Sequence, residues 1–166
     1  MKKRKIHAFT GGTGAGKTTI SKQFSKEIRA FRISHDELLS LVYDQNQLVI
    51  DHLKCCKRAN NLAWKIVEQV TSLGVDVVME GWGSRELRDQ IRKNADELDL
   101  DLEFYLVSCP QEERLKRIRK RNKQTSEDAP YISDEDFYRI EKIENDFGDE
   151  ETYTVIDNKK YNNAQH

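Results

Sequence analysis

Cysteines, long apolar runs and net charge are all scarce in this sequence. Its three cysteines, Cys55, Cys56 and Cys109, form no Cys-x-x-Cys pair and cannot all pair with one another, which suits a reducing compartment better than a disulfide scaffold. No apolar run approaches the roughly 20 residues of a membrane-spanning helix. The basic N-terminus leads into a predicted strand rather than a signal-peptide core. We therefore expect a soluble cytoplasmic protein without membrane contacts.

The charge balance and the histidines exclude further classes. The 28 basic and 29 acidic residues give a formal net charge of −1, which argues against a surface coated for general nucleic-acid binding. The histidines show neither metal-ligand spacing nor a catalytic partner, so we assign no role to His7, His35, His52 and His166. A chain of 166 residues has room for one domain.

The stretch IHAFTGGTGAGKTTI, residues 6–20, is the most informative part of the chain. An apolar run is followed by Gly11, four residues, Gly16, Lys17 and Thr18, which is the strand, turn and helix of a P-loop. Glycines let consecutive N–H groups point at one anion, while the helix N-terminus and Lys17 add positive charge, so a nucleoside triphosphate is the expected ligand. Thr18 would place its hydroxyl on Mg²⁺. The predicted nucleotide-binding residues here are Gly12, Thr13, Gly14, Ala15, Gly16, Lys17, Thr18 and Thr19.

The rest of the chain alternates between strand-like and helix-like segments. Strands are predicted at residues 31–33, 75–79, 102–107 and 153–156, and helices at 19–28, 47–73, 84–98 and 133–147. Two further helices are predicted to begin at Ser34, which forms a capping-box pattern with Glu37, and at Pro110. Residues 122–130 are expected to form a mobile polar loop. The alternation predicts a parallel sheet covered on both faces, with the P-loop at its carboxyl edge.

With these residues in view, the chain resembles the P-loop kinases, in particular the group that includes polynucleotide kinase, chloramphenicol phosphotransferase, zeta toxins and AAA-type kinases. The likeness rests on GGTGAGKTT, on ISHDE at residues 33–37 and on Arg117 and Arg121 before a polar loop, and it spans residues 5–157. It implies a three-layer α/β P-loop NTPase fold with five parallel strands in the order 2-3-1-4-5. The implied domain covers residues 1–160, with a lid at about 117–133 and a polar tail at 161–166.

The resemblance also implies catalytic roles, with ATP and Mg²⁺ as ligands. An acidic residue after strand two accepts the proton of the substrate hydroxyl in this group, and Asp36 occupies the matching place. An alcohol needs such a base because it is a poor nucleophile until its proton leaves. The alternative is that Asp36 only supports the helix dipole from the first turn. Glu80 ends strand three where relatives carry Asp, and its carboxylate would hold Mg²⁺ through a bound water.

Two arginines are predicted to complete the site. In similar kinases the residue matching Arg117 packs on adenine and the residue matching Arg121 reaches the phosphates, roles that suit a planar guanidinium. Seven basic residues lie between positions 114 and 123, so a solvated basic face or a nucleic-acid patch is the alternative. Arg85 and Arg88 are candidates for binding the acceptor or the γ-phosphate, with exposed arginines of an amphipathic helix as the alternative. Trp82 is a candidate for lining the acceptor pocket.

The leading hypothesis is a small ATP-dependent kinase that phosphorylates a hydroxyl of a small molecule or of a nucleic-acid end, with Lys17, Asp36 and Arg121 as its catalytic residues. The basic run favours a nucleic-acid end, whereas the net charge of −1 offers it little support. The runner-up is a nucleotide-binding NTPase or switch that acts on a protein partner. A third reading is an inactive nucleotide-binding module of a larger assembly.

Overall fold

The computed structural model describes residues 3–44, 51–123, 131–144, 146–148 and 151–158. The strands are β1 (Lys5–Thr10), β2 (Phe31–Ser34), β3 (Val77–Glu80), β4 (Asp101–Ser108) and β5 (Thr154–Asp157). The helices are α1 (Lys17–Glu27), α2 (His35–Val42), α3 (His52–Ser72), α4 (Arg85–Glu97), α5 (Gln111–Lys123) and α6 (Asp134–Glu144). The predicted loop at 124–130, the helix start at 47–50 and the tail at 161–166 lie outside the described residues. None of the described helices is long and apolar enough to cross a membrane.

The strands form one parallel sheet with β1 at its centre. Its order is β2-β3-β1-β4-β5, which confirms the predicted topology of a P-loop NTPase fold. Ala8 of β1 pairs with Met79 on one side and with Phe104 on the other. Because all strands run parallel, their carboxyl ends meet at one edge, and the chain leaves β1 there through the P-loop.

The sheet buries a separate apolar cluster on each face. Ile6 and Ala8 point to the face covered by α3 and α4, while Phe9 points to the opposite face, which α1 covers. This alternation is the two-residue period of a strand buried on both sides. A third cluster of Leu115, Ile118 and Phe137 joins α5 to α6 in a small core of its own.

The apolar spacing in α3 predicts a core stripe that includes Cys56, Ala63, Ile66, Val70 and Leu73. Ala63 is fully buried, and Cys56, Ile66 and Val70 pack against the core, but Leu73 is 81% exposed. The helix also buries Cys55, Ala59 and Val67, which lie beside the predicted stripe. Small residues at four-residue spacing let a helix approach a sheet closely, and here they form the contact.

Some element ends also differ from prediction. Helix α6 begins after Ser133 as expected, with Ser133 Oγ accepting from the Asp136 N–H at 3.0 Å, but it ends at Glu144 rather than near Phe147. Asn122 belongs to α5 rather than to a loop. Its side chain exchanges two hydrogen bonds with the backbone of Ile132, at 2.7 and 3.3 Å, which closes the base of the α5–α6 connection.

Candidate active site

The P-loop joins β1 to α1 and leaves the start of α1 without a side-chain cap. Gly16 holds the cap position at φ 92°, a left-handed conformation that favours glycine, and the first turn of α1 contains no acidic residue. A Cβ atom at Gly12 would overlap the guanidinium of Arg114. The loop therefore needs glycine both for its conformation and for its packing, and it offers an uncapped helix N-terminus to an anion.

Lys17 lies at the start of α1 with its ammonium group folded over the loop. Its Nζ donates to the carbonyl oxygens of Gly11 at 2.6 Å and Gly12 at 3.3 Å. The Glu144 carboxylate, at the end of α6, approaches the same Nζ to 4.0 Å and accepts from Thr13 Oγ1 at 3.0 Å. A negatively charged side chain from α6 thus lies against the lysine expected to bind phosphates.

Thr18 and Glu80 meet at the carboxyl ends of β1 and β3. Thr18 Oγ1 donates to Glu80 Oε1 at 2.6 Å, and Ser21 Oγ donates to Glu80 Oε2 at 3.1 Å. Mg²⁺ prefers such hard oxygen ligands and commonly takes only one or two from the protein, with phosphates and waters completing its shell. The part of the chain that the structure describes has no group of three or more His, Cys, Asp or Glu residues able to hold a metal ion. The donor set therefore fits Mg²⁺ that arrives with a nucleotide.

Asp36 stands in the first turn of α2, beside the end of β3. Its neighbour Ser34 pairs with Glu80 across the two strands, and the Asp36 side chain is 87% exposed. Its Oδ1 lies 3.9 Å from His35 Nδ1. The adjacent His35 ring and, more weakly, the charge of Lys17 lower the pKa of the Asp36 carboxyl below its ordinary value. Asp36 is therefore an ionised, solvent-accessible carboxylate at neutral pH.

Arg117 and Arg121 lie one turn apart on α5. Arg117 Nε donates to Glu113 Oε1 at 3.2 Å, and its Nη1 lies 3.7 Å from where a Cβ on Gly16 would be. The Nε and Nη2 atoms of Arg121 are buried and have no hydrogen-bond partner among the described residues. A buried guanidinium with unsatisfied donors is costly, and an anionic ligand would satisfy it.

Three further residues at the P-loop were not singled out from the sequence. Arg114 pairs with Glu141 and donates to the carbonyl oxygens of Cys109, at 3.0 Å, and Thr13, at 3.4 Å. Asn158 follows β5 and donates from its side-chain amide to the Ala15 carbonyl. The parallel sheet predicts that the residue after β5 reaches this edge, so Asn158 was accessible to sequence reasoning. Glu144 was not, since nothing in its local sequence links it to a loop about 130 positions away.

Two of the residues suggested for acceptor binding are instead buried. The Arg88 side chain is fully buried, donates to the Gly83 and Asp146 carbonyls and pairs with Glu151. Trp82 donates from Nε1 to Asn60 Oδ1 at 2.8 Å within the core. Their polar groups are already satisfied, so the expectation that they contact an acceptor is not supported. Arg85 is exposed on α4.

Comparisons with known proteins agree with this fold. A family model described as an AAA domain matches residues 6–139. Among curated proteins, no sequence matches this chain.

Solved structures with the same architecture include proteins named for phosphoryl transfer. A proposed kinase from Chloroflexus aurantiacus J-10-fl is 14% identical, with a TM-score of 0.76 over 98% of this chain and 89% of that one. A gluconokinase from Sinorhizobium meliloti 1021 is 13% identical, with a TM-score of 0.66 over 95% and 84% of the two chains. A chain of the Pnkp1/Rnl/Hen1 RNA repair complex is 19% identical, with a TM-score of 0.65 over 96% of this chain and 54% of that one. At these identities the similarity extends to the fold.

Proposed function

This chain belongs to the AAA domain family, and on that premise we propose that it is an ATP-dependent kinase. It would transfer the γ-phosphoryl group to a hydroxyl of a small molecule or of a nucleic-acid end. The observation that carries the proposal is the exposed carboxylate of Asp36, which follows β2 at the same edge of the parallel sheet as the P-loop. An ionised base that faces solvent beside a phosphate-binding lysine suits a reaction in which an incoming hydroxyl loses its proton.

Each group in the site then has a defined task. The P-loop amides and Lys17 bind the β- and γ-phosphates, Arg117 packs on the adenine, and Arg121 donates to the phosphates. Thr18, with Glu80 behind it, would hold Mg²⁺, which neutralises charge on the phosphate oxygens. The acceptor oxygen forms a bond to the γ-phosphorus while the bond to the β–γ bridging oxygen breaks, and the acceptor's proton passes to an Asp36 carboxylate oxygen.

The state of Glu80 favours a kinase over a hydrolytic switch. A hydrolytic switch would use an acidic residue near the end of β3 to polarise the attacking water. Both oxygens of Glu80 already accept hydrogen bonds, from Thr18 to one oxygen and from Ser21 and Arg32 to the other. The Asp36 side chain is 87% exposed and so remains accessible to an acceptor, and its position after β2 suits a hydroxyl acceptor.

The names of the structural neighbours support two acceptor classes. One neighbour is a gluconokinase and another is called a sugar kinase, whereas a third belongs to an RNA repair complex. The exposed lysines of α5, Lys116, Lys120 and Lys123, would suit a nucleic-acid end. We therefore keep both classes in the proposal.

Measuring ATP turnover with and without candidate acceptors tests this function. Label from γ-labelled ATP would be followed into nucleosides, 5′-hydroxyl oligonucleotides, antibiotics and sugars. A kinase gains turnover and delivers label to one class. Acceptor-independent hydrolysis would support the switch, and tight nucleotide binding without any turnover would support an inactive module.

Substitution of Lys17 tests the phosphate cradle directly. We expect Lys17→Ala to weaken ATP binding roughly 10- to 100-fold, because a hydrogen bond to a charged group contributes about 1.5–3 kcal/mol. Isothermal titration of ATP with Mg²⁺ measures this change. The matched control is Lys26→Ala, an exposed lysine in the last turn of the same helix, which should bind ATP like the wild type. Equal affinities for the two variants would contradict phosphate binding by Lys17.

Glu144 should oppose nucleotide binding in the arrangement described here. Its carboxylate is 4.0 Å from Lys17 Nζ, so an incoming phosphate meets a like charge. Like charges a few Å apart repel by roughly 1–4 kcal/mol between water and a partly buried site, and about 1.4 kcal/mol corresponds to tenfold in affinity. We therefore expect Glu144→Gln to tighten ATP binding by about that factor, measured by the same titration.

The control for this prediction is Glu135→Gln, an exposed acid in the first turn of α6, which should leave affinity unchanged. Weaker binding by Glu144→Gln would mean that the carboxylate assists the nucleotide and would overturn the competition argument.

A further inference from the structure

Arg32 connects β2 to the carboxylate at the end of β3. Its Nη2 donates to Glu80 Oε2 at 2.5 Å, its Nε donates to Ser21 Oγ at 3.0 Å, and its Nη1 donates to Glu37 Oε2 at 2.7 Å. The Arg32 side chain is 11% exposed and that of Glu80 is 5% exposed. The Arg32–Glu80 part of this network is screened from solvent, which restricts the rotamers of both side chains.

The two carboxylate oxygens of Glu80 have different hydrogen-bond partners. Oε2 accepts from Arg32 and Ser21, which anchors it toward β2 and α1. Oε1 is left to face the Thr18 hydroxyl at 2.6 Å. A glutamate has one more rotatable bond than the aspartate that similar kinases carry here, so its carboxylate needs an additional contact to be held in one orientation.

We propose that Arg32 is a positioning residue that fixes Glu80 toward Thr18 and so sets the affinity of the site for the divalent metal of the nucleotide. This inference rests on the proposed function and names a residue that the P-loop pattern does not contain. The guanidinium of Arg32 contacts Ser21, Glu37 and Glu80. It acts through Glu80, in the way that outer-shell partners orient the groups around a metal.

The charges around Arg32 support this role. Glu37 accepts from Arg32 Nη1 at 2.7 Å and, at 3.3 Å, from the same Nη2 that donates to Glu80, and Lys22 pairs in turn with Glu37 at 2.9 Å. Since Glu37 balances part of the arginine's charge, Arg32 can hold Glu80 without placing a full uncompensated cation beside the metal site.

The test is a titration of Mn²⁺ with a non-hydrolysable ATP analogue, in which electron paramagnetic resonance reports free Mn²⁺. Arg32→Gln should weaken Mn²⁺ binding roughly 10- to 100-fold, as losses of outer-shell partners do, while affinity for the analogue without metal stays unchanged. Arg32→Lys keeps the positive charge but loses the several N–H donors of the guanidinium. Its Mn²⁺ affinity should therefore lie between those of the wild type and Arg32→Gln. Ser21→Ala removes a smaller donor to the same oxygen and should shift Mn²⁺ affinity in the same direction.

Arg92→Gln is the matched control, because Arg92 is also a half-buried arginine that bridges two carboxylates, Asp89 and Glu151, away from the P-loop. It should lower thermal stability without changing Mn²⁺ affinity. Equal Mn²⁺ affinities for Arg32→Gln and Arg92→Gln, or tighter Mn²⁺ binding by Arg32→Gln, would overturn the proposal.

The binding readout separates this proposal from the proposed function. If the wild type binds the analogue in a metal-dependent way and Arg32→Gln does not, the positioning role is supported. A lack of phosphate transfer to every acceptor would count only against the proposed kinase activity. A wild-type protein that binds the analogue equally well with and without Mn²⁺ would refute the positioning role, whatever its transferase activity.

Discussion

Replacing Asp36 with asparagine is expected to leave ATP binding near the wild-type level and to lower phosphoryl transfer about 10²- to 10⁴-fold, the usual contribution of a general base. Asparagine has nearly the same size and can still accept a hydrogen bond, but it cannot take up the acceptor's proton. Because the Asp36 side chain is 87% exposed, this substitution should change stability little. Titration of ATP and transfer to the acceptor identified by screening provide the two measurements.

The competing explanation for Asp36 is support of the α2 dipole, and a second first-turn acid separates the two. Glu112 is an exposed acid in the first turn of α5, so Glu112→Gln removes a comparable helix contribution of about 0.3–1 kcal/mol. We expect normal transfer from Glu112→Gln. Unimpaired transfer by Asp36→Asn would remove Asp36 from the role of base and leave only its effect on the helix.

The pH dependence of transfer gives the same assignment a second test. His35 and Lys17 lower the pKa of the Asp36 carboxyl from its ordinary value near 3.8. A base with a lowered pKa stays ionised as the pH falls through 5, so Asp36 should not impose an acidic limb on the transfer rate between pH 5 and 7.

The parts of the site that were predictable from sequence are those carried by local pattern. Gly16, Lys17 and Thr18 form one continuous turn and helix start, and Asp36 and Glu80 each follow a recognisable strand. The parallel order of β1, β2 and β3 brings these separate strand ends together, so the topology was enough to predict their proximity. The same logic accounts for the confirmed order of the five strands.

The parts that were missed depend on tertiary contacts. Arg32 lies on a strand edge where an arginine is unremarkable, and only the register of β2 beside β3 directs it to Glu80. Glu144 reaches Lys17 because α6 folds back over the P-loop. Ala59 of α3 was missed as a core residue for a related reason, since the fit of a small side chain against a sheet is decided by the approach of the backbone.

Arg88 has a structural role that differs from the one expected from its position in the sequence. A basic residue shortly after the Gly81–Gly83 turn suggested a phosphate or acceptor contact, but its guanidinium instead donates to the Gly83 carbonyl and lies 4.7 Å from the centre of the Phe147 ring. Gly83 in turn lies close to Glu144, since a Cβ there would be 3.1 Å from the Glu144 side chain. Arg88 therefore supports the site by fixing the turn after β3, and its own charge must be balanced from elsewhere.

Glu151 supplies that balance, and replacing it should give the largest loss of stability we predict. Its carboxylate is 3% exposed and accepts from Arg88 Nη2 at 2.9 Å, from Arg92, and from the Gly148 N–H at 3.0 Å. Glu151→Gln would leave the fully buried Arg88 without a counter-charge, and removing one member of a buried pair costs about 3–5 kcal/mol. Denaturant unfolding at neutral pH measures the difference in the free energy of unfolding.

The pH dependence of that difference identifies charge as its cause. Burial raises the pKa of Glu151, but the hydrogen bonds from Arg88 and Arg92 outweigh it, so the pKa in the folded protein lies below the ordinary 4.5. A carboxyl with a lowered folded pKa stabilises the protein above its unfolded pKa, and this contribution is lost as the pH falls. The gap between wild type and Glu151→Gln should therefore be full at pH 7 and shrink below about pH 4.5. The control is Glu103→Gln, which breaks the half-exposed pair with Lys5 and should lower the free energy of unfolding by at most about 1 kcal/mol. An equally small loss for Glu151→Gln would mean that Arg88 does not depend on Glu151.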